Sequence, residues 1–348
     1  MKKAFITGIS GHIGAHLARL LQKEGWSVTG LARRTSNLNR IKDFGVDVQH
    51  GDISDKESIR KGLAGCEALF HLAAPTTVRT EQDKEAVFAG VRNMCHLMLE
   101  CGVKRMVYVS STVTVGVVDS KNKTFDEASE TKLSGTKYQE VKWEAEQYVK
   151  NFVKEKRADV VIVNPSTIIG PGDTRPTPPN QLIVDFLNYA GSWAWIKDKN
   201  LKAAPVWFDT GFSLVDAEDV AQGIYRAFQK GKRGERYILG GDNIEMREMY
   251  RALSRITGLP APWIYLPKPC MLALSWIFTK LMEHPPMSYS LAKTMVGKYA
   301  FFSSEKAKQE LGYSRRSYQE TLLRAVEWFL TTTLIVDERK KEIIKSRR

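Results

Sequence analysis

Cysteine and histidine are scarce in this chain: Cys66, Cys95, Cys101 and Cys270 are the only four cysteines in 348 residues, and there are six histidines. The cysteines show no paired short spacing and the histidines no cluster, so neither a disulfide framework nor a metal centre is indicated. Size imposes no need for such staples, because 43% apolar residues furnish a real core. A reducing cytoplasm is the expected location. Met1-Lys2-Lys3 leads straight into an apolar strand, which leaves no room for the apolar region and cleavage site of a signal peptide. Long apolar runs are missing too. The longest, Cys270 to Phe278 and on through Leu281 and Met282, is interrupted by Lys280 and is too short to span a bilayer. It reads as a helix covering a substrate pocket or, over the wider segment 264–282, as a surface helix in peripheral contact with a membrane through Trp276, Ile277 and Phe278. The net charge of +13 comes without a helix-turn-helix, zinc finger or aromatic RNA-binding platform, so nucleic acid is not an expected partner. Residues 331–348 carry six Lys/Arg against three Asp/Glu, and the rest of the excess is spread over a body whose field favours a polyanionic cofactor.

Glycine, by contrast, is concentrated where it matters. Thr7-Gly8-Ile9-Ser10-Gly11-His12-Ile13-Gly14 follows the apolar run Ala4-Phe5-Ile6 and opens an amphipathic pattern carrying Leu17, Leu20 and Leu21. A strand that breaks into close glycines and then starts a helix turns bare N–H groups and a helix N-terminus towards a pyrophosphate. Side chains at Gly8, Gly11 or Gly14 would block the tight turn, the cofactor approach or the packing of helix on strand. Such turns also occur in α/β proteins that bind no nucleotide. Here a second strand pattern at residues 27–32 continues it as the start of a βαβ unit.

Strand patterns recur near 3–7, 27–32, 46–50, 67–72, 104–109 and 158–163, with helical patterns near 11–24, 54–63, 83–101 and 136–156 between them. That alternation predicts an α/β fold with a doubly wound parallel sheet over residues 1–165. Beyond Asn164 the chain becomes rich in Pro and Gly, and residues 166–211 and 243–330 are expected to form a smaller, mostly helical substrate domain. Residues 212–242 are expected to rejoin the first domain, and 331–348 to form a charged C-terminal extension.

The residue closing the second strand selects the dinucleotide, since a carboxylate there accepts from a ribose 2′-hydroxyl whereas arginine pairs with a 2′-phosphate. This strand ends Leu31-Ala32-Arg33-Arg34, which favours NADP(H) over NAD(H), unless both arginines are plain surface charges. Gly51-Asp52-Ile53 puts a carboxylate where an adenine amine would meet it, or in the cap region of the next helix. Tyr138 and Lys142, four apart in a helical pattern, lie on one face. A fixed cation would favour phenolate and bring Tyr138 towards acid/base work near neutrality, and Lys142 would also hold the nicotinamide ribose. Ser110-Ser111-Thr112 follows the strand pattern at 104–109, at the sheet edge where ligands bind, although strand-end hydroxyls also cap turns.

In order, these motifs resemble the extended short-chain dehydrogenase/reductases: Thr7-Gly8…Gly11…Gly14, Gly51-Asp52-Ile53, Phe70-His71-Leu72-Ala73-Ala74, Val109-Ser110-Ser111, Tyr138…Lys142 and Asn164-Pro165-Ser166…Gly170-Pro171-Gly172-Asp173. The match runs from residue 3 to about 330 and is closest to the dihydroflavonol-reductase-like branch, particularly the hopanoid-associated sugar epimerases. The resemblance implies a Rossmann-type domain, a smaller substrate domain, a catalytic set of Ser111, Tyr138 and Lys142, and a homodimer formed through helices 83–101 and 136–156. It also implies a cofactor site built from Gly8, Ser10, Gly11, His12, Ile13, Gly14, Arg33, Asp52, Ile53, Leu72, Ala73, Ala74, Pro165, Ser166 and Ile168 with Tyr138 and Lys142. His12 and Val87 depart from the family's usual residues without removing a catalytic atom. The insertion from Ser192 to Val206, with Trp193 and Trp195, falls where substrate would be covered and keeps any known substrate from being carried over.

The implied chemistry is hydride exchange between NADP(H) and a secondary alcohol or ketone of a hydrophobic small molecule. Tyr138 would move the proton, Ser111 hold the oxygen, and Lys142 lower the phenol pKa. Val113 and Thr114 stand where a sugar dehydratase would need an acidic pair, which argues against dehydration. Epimerisation of a sugar with tightly bound NAD(P) is the alternative, and a non-catalytic dinucleotide sensor or scaffold, which often loses the Tyr/Lys pair, the lesser one.

Overall fold

The computed structural model describes residues 1–73, 78, 80–117, 120–131, 136–190, 206–283, 285, 287–336 and 341–342. The chain runs β1 (Lys3–Thr7), α1 (His12–Lys23), β2 (Ser27–Ala32), β3 (Asp47–His50), α2 (Lys56–Leu63), β4 (Ala68–His71), α3 (Glu81–Glu100), β5 (Arg105–Val109), α4 (Lys137–Lys156) and β6 (Val160–Pro165). It continues through β7 (Thr167–Ile169), α5 (Pro178–Tyr189), β8 (Val206–Trp207), β9 (Thr210–Asp216), α6 (Ala217–Lys230), β10 (Arg236–Leu239), β11 (Asp242–Glu245) and α7 (Met246–Thr257). The last elements are β12 (Ile264–Tyr265), α8 (Lys268–Leu281), α9 (Tyr289–Met295), β13 (Lys298–Ala300) and α10 (Tyr318–Leu330).

Seven strands form one parallel sheet in the order β10-β6-β5-β4-β1-β2-β3. Successive side chains of its inner strands feed two cores, as the period of two requires. Ile6, Phe70, Val107 and Val161 pack with Leu17 and Leu21 of α1 and Val220 and Ile224 of α6. Phe5, Leu69, Met106 and Ile162 pack on the other face with Ile59 of α2, Met94 and Leu97 of α3 and Val141 and Val149 of α4. Burial on both faces is why these strands read as continuous apolar runs. The winding reverses between β1 and β4, and in such sheets ligands bind in the crevice outside the carboxyl ends of the strands at that switch.

A second sheet carries the smaller unit. β11 runs antiparallel along one edge of β9, while β13 and β7 share the other edge. Its core joins Ile183 and Leu187 of α5, Leu253 of α7 and Leu322, Val326 and Phe329 of α10. Residues 212–215 therefore do not rejoin the main sheet as expected; of segment 212–242, α6 packs on that sheet and β10 extends it. An alternating apolar pattern identifies a strand but not its partner, and here β7 leads directly into pairing with β9. No helix among the described residues is long and apolar enough to cross a membrane. Ala74, the insertion up to residue 205, and residues 337–340 and 343–348 lie outside the described residues.

Candidate active site

The glycine turn has the shape that its spacing demanded. Gly8 adopts φ +74°, and a Cβ there would stand 2.9 Å from the Ala73 nitrogen. A Cβ on Gly14 would stand 2.2 Å from the Gly8 carbonyl oxygen, and one on Gly11 3.0 Å from the same atom. Backbone fills the space on the protein side of all three. Gly11 caps α1 without a side-chain hydrogen bond, and the first turn of α1 carries no acidic residue. The loop therefore offers N–H groups and a helix N-terminus with no internal anion competing for them, and it fits a dinucleotide pyrophosphate. His12 does not plug it. Its Nε2–H donates to the Pro171 carbonyl at 2.7 Å, and His16 donates to the same oxygen at 2.9 Å. Burial lowers the His12 pKa to about 4, partly opposed by Asp173.

The other expected cofactor residues lie along the carboxyl edge. Leu72 and Ala73 close against Gly8, with the Ala73 N–H donating to Thr7 Oγ1 at 3.2 Å. Arg33 and Arg34 are exposed just past β2. Asp52 accepts from the backbone and hydroxyl of Ser54, making a turn, and it is Asp55 that caps α2. Ile53 packs on Gly90 of α3, where a Cβ would come within 2.5 Å of it. Pro165 ends β6 and Ile168 lies in β7. Ser166 spends its hydroxyl proton on the Ser213 carbonyl at 2.7 Å, so its side chain ties β7 to β9. Ile13 packs into the core under the loop and Ser10 presents its carbonyl to Arg40. Arg40 itself went unnoticed in the sequence. It bridges Ser10, Asp173 and Thr174 and so brackets the glycine turn with a guanidinium whose pKa is lowered by burial.

Ser111 and Tyr138 come together, while Lys142 lies one turn further along α4 with its ammonium turned to another partner. Ser111 follows β5 and caps a short 3-10 turn, its oxygen accepting from Val113 N–H at 3.3 Å. Its hydroxyl faces the Tyr138 phenol closely enough to pull that group's pKa down. Tyr138 stands in the first turn of α4, which Thr136 caps, and Lys142 lies one turn on, buried. The electrostatics differ from expectation at one point. Burial raises the Tyr138 pKa and Ser111 pulls it down, while Lys142 takes no part in the shift. The Lys142 ammonium donates to the Val109 carbonyl at 3.3 Å and lies over the Tyr108 ring. Burial lowers its own pKa to about 8 against an upward pull from Glu146. An i,i+4 spacing puts two groups on one face, but a long flexible side chain turns to whichever acceptor satisfies it, here a strand carbonyl.

Behind this trio lies a network that pattern reading missed. Glu146, fully buried, accepts from Ser110 Oγ at 2.7 Å, Thr114 Oγ1 at 2.8 Å and Asn164 Nδ2 at 2.8 Å, and it pairs with Lys150 at 2.9 Å and Arg236 at 3.4 Å. Burial pushes its pKa up, but Lys150, Ser110 and Asn164 outweigh that and the net shift is downward. Asn164 also donates to the Ser111 carbonyl at 3.1 Å, so the carboxylate holds the segment bearing Ser111 against α4. One signal was available: Glu146 follows Tyr138 and Lys142 at further four-residue steps, which places it on the same inward face.

Comparison with known proteins identifies the family. Residues 4–240 match the NAD dependent epimerase/dehydratase family. A Synechocystis protein provisionally named a dihydroflavonol 4-reductase is 35% identical over 93% of this chain and 94% of its own length. Sterol demethylase protein B of Methylococcus capsulatus is 30% identical over 93% of this chain and 97% of its own. The crystal structure of gox2253 superposes with a TM-score of 0.80 at 33% identity, covering 94% of this chain and 98% of that one. A parallel sheet with its switch point at a glycine cradle, together with these likenesses, makes this chain a member of the NAD-dependent epimerase/dehydratase family, the extended short-chain dehydrogenase/reductases, and an NAD(P)-dependent enzyme of that type.

Proposed function

We propose that the protein interconverts a secondary alcohol and a ketone on a hydrophobic small molecule, with NADP(H) as its cofactor and Ser111, Tyr138 and Lys142 as its working residues. The observation that carries the reading is that Ser111, at the carboxyl edge of β5, stands close enough to Tyr138 to pull its pKa down, with Lys142 buried one turn along α4. When bound, the dinucleotide supplies or accepts the hydride at the substrate carbon. Tyr138, its pKa raised by burial, is protonated at neutral pH and donates to the substrate oxygen in the reductive direction. Ser111 steadies that oxygen. Lys142 is largely an ammonium at neutral pH, and its role in this reading is to hold the ribose next to the nicotinamide. Arg33 and Arg34, exposed past β2 with no carboxylate beside them, support the choice of NADP(H). The dihydroflavonol and sterol in the names of two relatives support an apolar substrate.

The test is NADPH oxidation with a panel of aromatic and polycyclic ketones. Tyr138→Phe is expected to lower kcat by about 10²- to 10⁴-fold while leaving NADPH binding, read by thermal shift, in place. Replacing Arg33 and Arg34 by serine is expected to weaken NADPH about tenfold and NADH hardly at all, since a charge-assisted bond to phosphate is lost. Conversion of a nucleotide sugar with no net change in NADPH would reject the reading in favour of epimerisation.

A further inference from the structure

We infer that α8 and the segment before it form a docking face for an anionic membrane surface. Among the described residues of α8, Ser275 alone is buried, although the helix reads Lys-Pro-Cys-Met-Leu-Ala-Leu-Ser-Trp-Ile-Phe-Thr-Lys-Leu. Its inner side leans Met271 and Leu272 on a small cluster around Phe208, Ala292 and Val296. Its outer side follows the helical period through Ala273, Trp276, Ile277 and Leu281, and the last three are 53%, 39% and 79% exposed. Trp263, Ile264 and Tyr265, just ahead of the helix, are 58%, 41% and 43% exposed. A helix apolar on both sides with one side left to solvent is the contiguous kind of patch that marks an interaction surface.

The charge around it names the partner. Between Glu248 and Glu305 the sequence has one acidic residue, Glu283, against six basic ones, of which Arg255 lies away from the patch beside Tyr318; one carboxylate from outside this stretch, Asp209, accepts from the Tyr265 hydroxyl. Lys268 and Lys280 stand on α8 itself and Lys293 on α9, which packs against it. All three are exposed and have no ion-pair partner among the described residues. Apolar and aromatic side chains ringed by unpaired lysines match a bilayer interface bearing anionic headgroups, where each basic residue adds attraction and tryptophan and tyrosine settle at headgroup depth. At 14 residues the helix reaches only about 21 Å, short of the ~30 Å hydrocarbon core, so it lies in the interface and does not cross it.

Co-sedimentation of the full chain with vesicles decides the matter. Phosphatidylcholine vesicles containing about one-third phosphatidylglycerol are expected to bind the protein, with binding falling as salt is raised, and pure phosphatidylcholine vesicles to bind it far less. Trp276→Glu with Ile277→Glu is expected to reduce the partition at least about tenfold. These side chains are exposed, and an unchanged circular dichroism melt shows that the variant folds; Leu281→Asp is the second variant if it does not. Failure to bind anionic vesicles at low salt, equal binding to neutral ones, or equal binding by the variants would overturn the inference. So would a dimer in sedimentation equilibrium that Trp276→Glu dissociates, since a second copy would then cover the face.

Discussion

Between pH 7 and pH 4 the unfolded chain charges His71, whereas the fold holds the ring where a cation has no room. The ring sits at the carboxyl end of β4, 2% exposed, with Nδ1 2.7 Å from Thr7 Oγ1 and its face stacked on Tyr108. Burial lowers its pKa from 6.5 to about 3, and Lys142 pushes the same way. The unfolded chain takes up this proton below about pH 6.5, whereas the native chain refuses it until about pH 3. In that window the unfolded state binds more protons, so stability is fully present above pH 6.5 and drains away as the pH falls. At 1.36 kcal/mol per unit, pH 4.5 costs about 2.7 kcal/mol from this residue alone. The assay is urea unfolding of the wild type and His71→Phe at pH 7 and pH 4.5. Phenylalanine keeps a ring against Tyr108 but takes the imidazole partner from the Thr7 hydroxyl, leaving it the Ala73 N–H alone, so the variant is expected to be about 1–3 kcal/mol less stable at pH 7. Its deficit is then expected to shrink by about 2.7 kcal/mol at pH 4.5, because it has no imidazole to charge. An identical loss with acid in both proteins would refute the reasoning.

Two further perturbations probe the frame of the site. Gly14→Ala puts a methyl group where only 2.2 Å separates it from the Gly8 carbonyl, so the turn must move. Calorimetric titration is expected to show dinucleotide affinity lowered at least about tenfold, with the fold retained. Glu146→Ala leaves Lys150, Arg236 and Asn164 facing a void and is expected to cost about 3–5 kcal/mol in denaturant unfolding. A loss under about 1 kcal/mol would mean that water replaces the carboxylate.

The parts of the molecule that were readable in advance are those decided by neighbours in sequence. Strands β1, β2 and β5 coincide with their apolar runs to within a residue, because being covered on both faces leaves a continuous hydrophobic signature. The glycine turn was readable because its geometry is set within eight residues. The association of Ser111 with Tyr138 was legible once strand end and helix start were both placed. Features fixed across long separations were not. Glu146 draws its partners from β6, β10 and the segment after β5, and a lone carboxylate in an amphipathic helix reads as solvated until the fold buries it. The direction of Lys142 depended on the free carbonyl of Val109, and the partner of β9 on three strands that arrive from distant segments. Pattern alone left α8 as either a pocket cover or a surface helix, and it could not show which of its apolar side chains the fold leaves exposed.

His12 and His16 grip a single carbonyl, that of Pro171, from the first two turns of α1. One oxygen thereby fastens the start of α1 in the larger unit to the loop that leads into α5 of the smaller one, 155 or more positions away along the chain. The helix N-terminus that faces a pyrophosphate and the substrate half thus share one anchor.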